Sequence, residues 1–233
     1  MPAADRPEKS SAGSPVDGRS TRWAAHRTRR REEIVDSALV VLGREGRDFG
    51  LDQVAVEAGV TKPVIYRHFG DRGALIDAMA DRATNLLVER LVPLVYVEGP
   101  PVARIRSAMD EFLRFLDGTP NVSLLFRRRL PGQNDEAVDA GRELVAQALT
   151  GVIGGYADAL GLEEPAFVKV WSQSLVGAAQ ATAEWWLTTR EVERDVVVEH
   201  LTTLVWIQIE GVARRCGIAI EPDVPFAVTR RAR

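Results

Sequence analysis

The chain consists of long segments with an apolar residue at every third or fourth position, separated by short segments that contain glycine or proline. The first long segment, about residues 27–46, carries apolar residues at the spacing of one helical face: Ile34, Ala38, Val41 and Leu42. Gly46 is expected to end this helix. No segment bounded by hairpin turns shows the apolar–polar alternation of a strand. The pattern therefore predicts an all-α protein.

The same periodicity predicts the remaining helices. Two short helices, at residues 51–58 and 62–68, are separated by a tight turn that contains Gly59. A longer helix follows Asp71 and is expected to end or bend at Pro93, because proline lacks the backbone N–H that a helix interior needs. Five further segments are predicted to be helical, at about residues 102–116, 121–130, 135–160, 165–189 and 192–216.

Composition bounds the class of protein. With 233 residues, of which 45% are hydrophobic, the chain can bury one sizeable core or two modest ones. Its single cysteine, Cys216, cannot form an internal disulfide. The first residues contain no apolar run that could serve as a signal-peptide core, and residues 165–187 contain too many polar side chains for a membrane span. These features predict a cytoplasmic protein without membrane association, with residues 1–22 as a disordered basic arm.

The distribution of charge separates two parts of the chain. The net charge of −3 argues against nucleic-acid binding, since phosphate binding usually leaves a basic surface. Residues 19–72, however, contain 11 Lys and Arg against 8 Asp and Glu, whereas residues 73–233 contain 17 against 22. Any nucleic-acid interface is therefore expected in the N-terminal part.

The two short helices have the residues that a helix-turn-helix requires. Four side chains are expected to point inward: Val54, Ala55, Ile65 and Phe69. Gly59 supplies a turn position where a left-handed conformation costs no Cβ clash. Thr61 is expected to cap the second helix with its side chain, and Pro63 suits the first helical turn. The outer surface of the second helix, part of which would face the DNA major groove, is left with Lys62, Val64, Tyr66, Arg67 and His68.

The run Val54-Ala55-x-x-Ala58-Gly59-Val60-Thr61-Lys62-Pro63-x-Ile65-Tyr66-Arg67-His68-Phe69 resembles the signature of the TetR family of repressors. The similarity continues upstream to Ile34 and downstream through Gly70-Asp71-Arg72 to Leu75-Ile76, about 50 residues in register. It implies a three-helix DNA-binding domain at residues 23–70. It also implies a larger helical domain at residues 71–233 that binds an effector and forms a homodimer.

The resemblance further implies which residues meet double-stranded DNA. Lys62 and Pro63 match positions near base edges, and Tyr66 matches a contact to phosphate or base. Arg72 matches a phosphate-binding residue at a helix N-terminus, where anions are favoured. Gly50 departs from the family's usual Ser or Thr, which caps the preceding helix and touches phosphate. The full set of predicted DNA-binding residues is Arg29, Arg30, Gly50, Thr61, Lys62, Pro63, Val64, Tyr66, Arg67, His68 and Arg72.

A basic run precedes the helix-turn-helix and continues into the first helix: Arg19, Arg22, Arg27, Arg29, Arg30 and Arg31. Such a run can be a solvated surface. Beside a helix-turn-helix we expect it to neutralise phosphates or to enter a flanking minor groove.

For the C-terminal helices the resemblance implies an architecture. The last two long helices of two subunits would form the dimer interface, and their wide apolar stripes need such a partner. Two-fold symmetry would place the recognition helices about 34–36 Å apart, which predicts a near-palindromic operator.

The same architecture implies a ligand pocket among the C-terminal helices. We expect large side chains as its walls: Met109, Phe112, Phe126, Tyr156 and Trp185. Polar anchors are expected at Gln173, Gln180 and Glu184. These residues could equally form plain core. Their uncharged, aromatic character favours an apolar or amphipathic effector, such as an acyl chain, a lipid or a hydrophobic drug.

Other function classes lack the residues they require. The three histidines are widely separated and have no metal-ligand spacing, and no nucleophile with a base stands out. Gly151-x-x-Gly154-Gly155 lacks the strand and the Lys-Ser/Thr pair of a phosphate loop. We therefore predict no enzyme activity, no metal and no cofactor. Two hypotheses remain: a repressor released from its operator by an effector, and a DNA-binding regulator or architectural DNA binder without an effector.

Overall fold

The structure is a computed structural model that describes residues 18–119, 121–127, 130–132, 135–159, 165–215 and 217–225. These residues contain no strand, which confirms the all-α prediction. The α-helices are α1 (Gly18–Glu45), α2 (Leu51–Glu57), α3 (Lys62–Phe69), α4 (Arg72–Val95), α5 (Pro101–Gly118), α6 (Asp135–Ala159), α7 (Pro165–Thr189) and α8 (Arg194–Arg215). Two 3₁₀ helices, Gly46–Asp48 and Val122–Arg127, lie between them.

Three predicted elements differ from the structure. The first helix begins at Gly18, so residues 18–22 are helical, and their assignment to a disordered arm was wrong. The added turns have no apolar face, but they also contain no proline to interrupt a helix. Pro93 lies inside the last turn of α4 without ending it. The predicted helix at residues 121–130 is instead the 3₁₀ helix Val122–Arg127. Residues 1–17 lie outside the described residues.

Helices α1 to α3 pack with the first half of α4 around one hydrophobic core. Its fully buried side chains include the predicted face of α1 and, on α4, Leu75, Ile76 and Met79. Asp71 caps α4 by accepting a hydrogen bond from Ala74 N at 2.8 Å. The predicted domain boundary at residue 70 therefore does not coincide with a break in packing.

The second half of α4 packs into a second hydrophobic core. It contributes Leu87 to a core with α5, α7 and α8, whose fully buried residues include Leu113 and Leu201. Helices α6, α7 and α8 share a third, smaller cluster around Ile153 and Leu175. One 24-residue helix thus belongs to the cores of both parts of the molecule.

A short segment between α5 and α6 also reaches the N-terminal core. We call its described residues, 121–127 and 130–132, the connector. Val122, Leu125 and Leu130 of the connector are buried against α1 and α4. Asn121 Nδ2 donates to the Gly43 carbonyl at 2.8 Å. A Cβ atom at Gly73 would lie 2.7 Å from the Gly132 carbonyl oxygen, so the close approach of α4 and the connector requires glycine there.

Truncation of Met79 tests the packing of the core that α4 shares with α1 to α3. Met79 is fully buried, so Met79→Ala removes apolar contacts and leaves a cavity. We expect the free energy of unfolding in urea to fall by about 2–5 kcal/mol. The control is Val40→Ala on α1, where the side chain is 55% exposed and a change within about 0.5 kcal/mol is expected. Equal effects of the two variants would contradict this packing.

Candidate functional site: a helix-turn-helix and a helical cavity

The turn between α2 and α3 has the predicted geometry. Gly59 has a φ of 61°, in the left-handed region that favours glycine. The inward side chains Val54, Ile65 and Phe69 are buried, as predicted. The backbone N–H of Val60 donates to the Ala55 carbonyl at 2.9 Å and closes the turn. These contacts fix α3 over α2 and leave its other side open.

Neither short helix is capped at its start by the side chain of its N-cap residue, which was expected for α2 but not for α3. Thr61 holds the N-cap position of α3, but its side chain makes no capping hydrogen bond, so that part of the prediction was wrong. The Val64 N–H donates to the Thr61 carbonyl instead, at 2.9 Å. At α2, Gly50 has no side chain to cap with, and its own N–H donates to Gln53 Oε1 at 2.7 Å. The exposed Thr61 hydroxyl is therefore not engaged in capping.

The predicted DNA-binding side chains of α3 form its outer surface. Pro63, Tyr66 and Arg67 are exposed, and 44% of Tyr66 is accessible. Lys62, Val64 and His68 are half-buried. Lys62 Nζ lies 3.0 Å from Asp52 Oδ2 on α2, and this hydrogen bond raises the pKa of Lys62. Lys62 is thus charged and held in place before any base is met.

The arginines of α1 come close to the end of α3. The pKa of His68 is lowered mainly by its burial, and four nearby cations lower it further: Arg67, Arg31, Arg30 and Arg27. The Arg31 guanidinium lies 4.5 Å from the centre of the Phe69 ring at the end of α3, so two distant stretches of sequence form one basic surface beside the recognition helix. We call the four arginines the basic cluster.

Two arginines of α1 are paired with a carboxylate of their own helix. Arg30 Nη1 lies 2.8 Å from Glu33 Oε2, and Arg29 Nε lies 3.3 Å from Glu33 Oε1. The hydrogen bond from Arg30 is the largest cause that lowers the pKa of Glu33. Both pairs are exposed, with 82% of the Arg29 side chain accessible, so they are weak and can exchange for phosphate.

Arg72 has partners within the protein. Its Nη1 donates to the Pro131 carbonyl of the connector at 2.5 Å, and its Nη2 donates to the Phe49 carbonyl at 3.3 Å. Its guanidinium also lies 4.6 Å from the centre of the Phe49 ring. Arg72 thus ties the connector to the N-terminal core with two of its five N–H donors.

A second site lies among the C-terminal helices. A cavity of about 840 Å³, including its open mouth, is bounded by α4, α5, α6, α7 and the connector. Its described lining consists of Ala80, Thr84, Leu87, Leu91, Met109, Phe112, Leu116, Leu125, Phe126, Gly141, Arg142, Val145, Val176, Ala179 and Gln180. The predominantly apolar walls with a few polar groups are typical of small-molecule sites.

The cavity brings together some of the predicted pocket residues and not others. Met109, Phe112, Phe126 and Gln180 lie on its wall. Three others are not among the residues that line it: Trp185 is 43% exposed, Gln173 is exposed and donates to Glu143 Oε2 at 2.6 Å, and Glu184 is half-buried elsewhere. The side chain of Tyr156 lies outside the described residues.

The sequence interpretation missed the face of α4 that forms one wall of the cavity. Ala80, Thr84, Leu87 and Leu91 recur at helical spacing, which the core of a plain bundle also shows. Arg142 was missed as well, because an arginine on a helix is normally a surface residue. Its Nε donates to Gln180 Oε1 at 2.8 Å, and Gln180 Nε2 donates to the Phe126 carbonyl of the connector at 3.1 Å.

Two family models match the chain. The model described as bacterial regulatory proteins, tetR family, matches residues 34–79. The model described as tetracyclin repressor-like, C-terminal domain, matches residues 100–219, more than half of the chain. The chain belongs to the TetR family. It is accordingly a DNA-binding transcriptional regulator, and the helix-turn-helix at α2 and α3 is the family's DNA-binding element.

Individual TetR-family members and a related fold extend the comparison. An uncharacterised HTH-type transcriptional regulator of Mycobacterium tuberculosis is 24% identical over 203 residues, which covers 87% of this chain and 86% of that protein. The HTH-type transcriptional activator FasR of Mycolicibacterium smegmatis is 24% identical over 180 residues, 76% of this chain and 81% of the relative. The regulator FadR of Bacillus subtilis, solved in complex with stearoyl-CoA, shares the fold with a TM-score of 0.59 at 16% identity, covering 75% and 96% of the two chains.

The basic cluster predicts a measurable salt dependence. Arg27→Gln together with Arg30→Gln should make the slope of log K against log salt concentration less negative, by about 0.9 for each lost phosphate contact. The loss of affinity should be similar for operator and random duplexes, because phosphate contacts carry no sequence information. Fluorescence anisotropy at several salt concentrations measures both. The matched control is Arg106→Gln with Arg114→Gln on α5, and an unchanged slope in the α1 variant would refute the assignment.

Proposed function

We propose that the protein is a homodimeric repressor that binds a near-palindromic operator and is released by an apolar or amphipathic effector. The observation that carries this proposal is the position of Ala80 and Leu125. Both side chains are buried in the core beneath the helix-turn-helix, and both also line the cavity. A ligand in the cavity would therefore touch residues that support the DNA-binding helices.

Release requires the effector to prefer a conformation that does not fit the operator. Helix α4 is the element that we expect to move, since it begins against α3 and continues as the cavity wall. The connector supports the same coupling, because Asn121 and Arg72 join it to α1, α4 and the Phe49 carbonyl. A small shift of either element would change the separation of two reading heads in a dimer.

Apolar side chains left uncovered on α7 and α8 support the dimer. Val170 on α7 is 69% exposed, and Val196 and Ile207 on α8 are 55% and 59% exposed. Residues 194–214 of α8 are long and apolar enough to cross a membrane, with only 28% of the most apolar window buried in the chain. In a family of DNA-binding regulators, a second subunit is the partner that we propose for this surface, and the cytoplasm is the expected compartment.

The relatives bear on the effector and on the direction of regulation. FadR of Bacillus subtilis binds stearoyl-CoA on this fold, which supports an acyl-type ligand for a cavity with apolar walls. FasR is an activator, so membership of the family does not by itself set the sign of regulation. We propose repression, so that a ligand that moves α4 away from the DNA-binding geometry lowers operator affinity and restores transcription.

The decisive experiment begins with selection of bound DNA from a random pool and continues with ligand-induced release from the selected operator. Ala179→Phe places a bulky ring in the cavity, so we expect normal operator binding but no release by ligands that release the wild type. The control is Ala103→Phe, at an exposed site on α5 outside the cavity lining. Random DNA bound as tightly as the selected sites would contradict a sequence-specific repressor.

The dimer has its own test. Ile207→Glu puts a charge on the exposed apolar face of α8, and burying it against a second subunit would be costly. We expect sedimentation to show a folded monomer with reduced operator affinity, because one subunit reaches only one half-site. Val97→Glu, at a 56% exposed position between α4 and α5, is the control and should remain dimeric. Retention of the dimer by Ile207→Glu would exclude this face.

A further inference from the structure

The wall of the cavity, which is otherwise uncharged among the described residues, carries one cationic side chain, Arg142. Among the described residues that line the cavity, Arg142 is the only one with a charged side chain. Its side chain is 46% accessible, so the guanidinium is at the rim and remains hydrated. Its Nε donates to Gln180 Oε1 at 2.8 Å, and its Nη1 lies 3.7 Å from Asp139 Oδ1. Thr84, a further polar residue of the lining, faces the neighbouring Gly141, where a Cβ atom would lie 3.0 Å from the Thr84 hydroxyl oxygen.

The apolar wall continues away from this polar end. On α4 the lining residues beyond Thr84 run to Leu91, seven residues along the helix, or about 10 Å at 1.5 Å per residue. Leu87, Leu91 and Met109 extend the wall without a further polar side chain. The polar groups of the lining thus lie beside Thr84, and the wall from there to Leu91 is apolar.

We propose that the cavity takes a chain-shaped amphiphile whose terminal anionic oxygens bind Arg142 while its hydrocarbon chain lies along α4. This inference rests on the proposed effector function and adds the chemical class of the ligand. A guanidinium presents N–H donors in a planar fork that matches carboxylate or phosphate oxygens. Arg142 is therefore a specificity-determining residue that separates anionic amphiphiles from neutral ones of the same length.

The present ion-pair partner of Arg142 can be replaced by an anionic ligand. Its Nη1 lies 3.7 Å from Asp139 Oδ1, and the Asp139 side chain is 60% accessible. An ion pair between exposed groups contributes little, so an anion brought to the rim by an apolar chain can replace it. The Nε bond to Gln180 can persist, and Gln180 in turn holds the Phe126 carbonyl of the connector. An anion at Arg142 is therefore linked by hydrogen bonds to the segment that contacts α1.

The experiment compares matched ligands on the full-length protein. Dodecanoate, dodecan-1-ol and dodecanoyl-CoA share one chain, and their affinities are measured by calorimetry below the concentration at which they form micelles. The variants are Arg142→Gln, Arg142→Lys and, as a control outside the cavity, Arg114→Gln. Operator release is followed in parallel by fluorescence anisotropy.

We expect the wild type to bind an anionic probe about tenfold more tightly than the alcohol, at the low end for a charge-assisted hydrogen bond because the rim is half exposed. Arg142→Gln should remove this preference without changing alcohol binding, Arg142→Lys should keep part of it, and Arg114→Gln should keep all of it. If Arg142→Gln weakens the binding of dodecanoyl-CoA only, the phosphates supply the anion. If it weakens the binding of dodecanoate, the carboxylate does.

The proposal is overturned if the alcohol binds the wild type as tightly as both anions, if Arg142→Gln weakens all three probes equally, or if no anionic probe binds. If the anion site is refuted in this way but the alcohol still releases the operator, the proposed effector function remains supported. Conversely, Arg142-dependent binding that never changes operator affinity would sustain the anion site and refute release by an effector.

Discussion

The buried face of α4 continues from the helix-turn-helix core into the wall of the cavity, and the other elements are arranged around it. Leu75 and Met79 lie beneath α1 to α3, whereas Leu87 and Leu91 face the C-terminal helices. Ala80 belongs to both environments. Because a packed helix moves largely as a rigid body, α4 cannot be displaced at the cavity without a response beneath the DNA-binding helices.

The connector adds a second tie between the two parts. Leu125 is buried in the N-terminal core and also lines the cavity, and the backbone approach at Gly73 leaves no room for a Cβ atom. Arg72 holds both ends of this contact through the Phe49 and Pro131 carbonyls. With two ties, α4 and the connector must move together or the Arg72 contacts must break. We therefore expect α4 and the connector to move together when the protein changes between its operator-binding and released conformations.

The parts of the structure that depend on local sequence could be predicted, and those that depend on several packed elements could not. The inward face of α1 and the left-handed Gly59 follow from periodicity and turn chemistry. The early start of α1 could not be predicted, because residues 18–22 have no apolar face and include the poor helix formers Gly18, Ser20 and Thr21. The cavity is space left between four helices and the connector, so Thr84 and Leu87 have the same spacing as core residues, while the aromatic Trp185 is exposed at the surface.

Some cations of the predicted DNA-binding surface are paired with the protein's own carboxylates. Lys62 is bonded to Asp52, and Arg30 is bonded to Glu33, both at exposed positions. Such pairs contribute little to stability, so phosphates or base edges can replace them at small cost. Once their cations have turned to the DNA, the carboxylates of Asp52 and Glu33 would repel the nearby phosphates, and only favourable contacts elsewhere would offset this repulsion. In a chain with a net charge of −3, we expect this arrangement to limit binding to random DNA, so that base contacts of α3 would provide the difference in affinity.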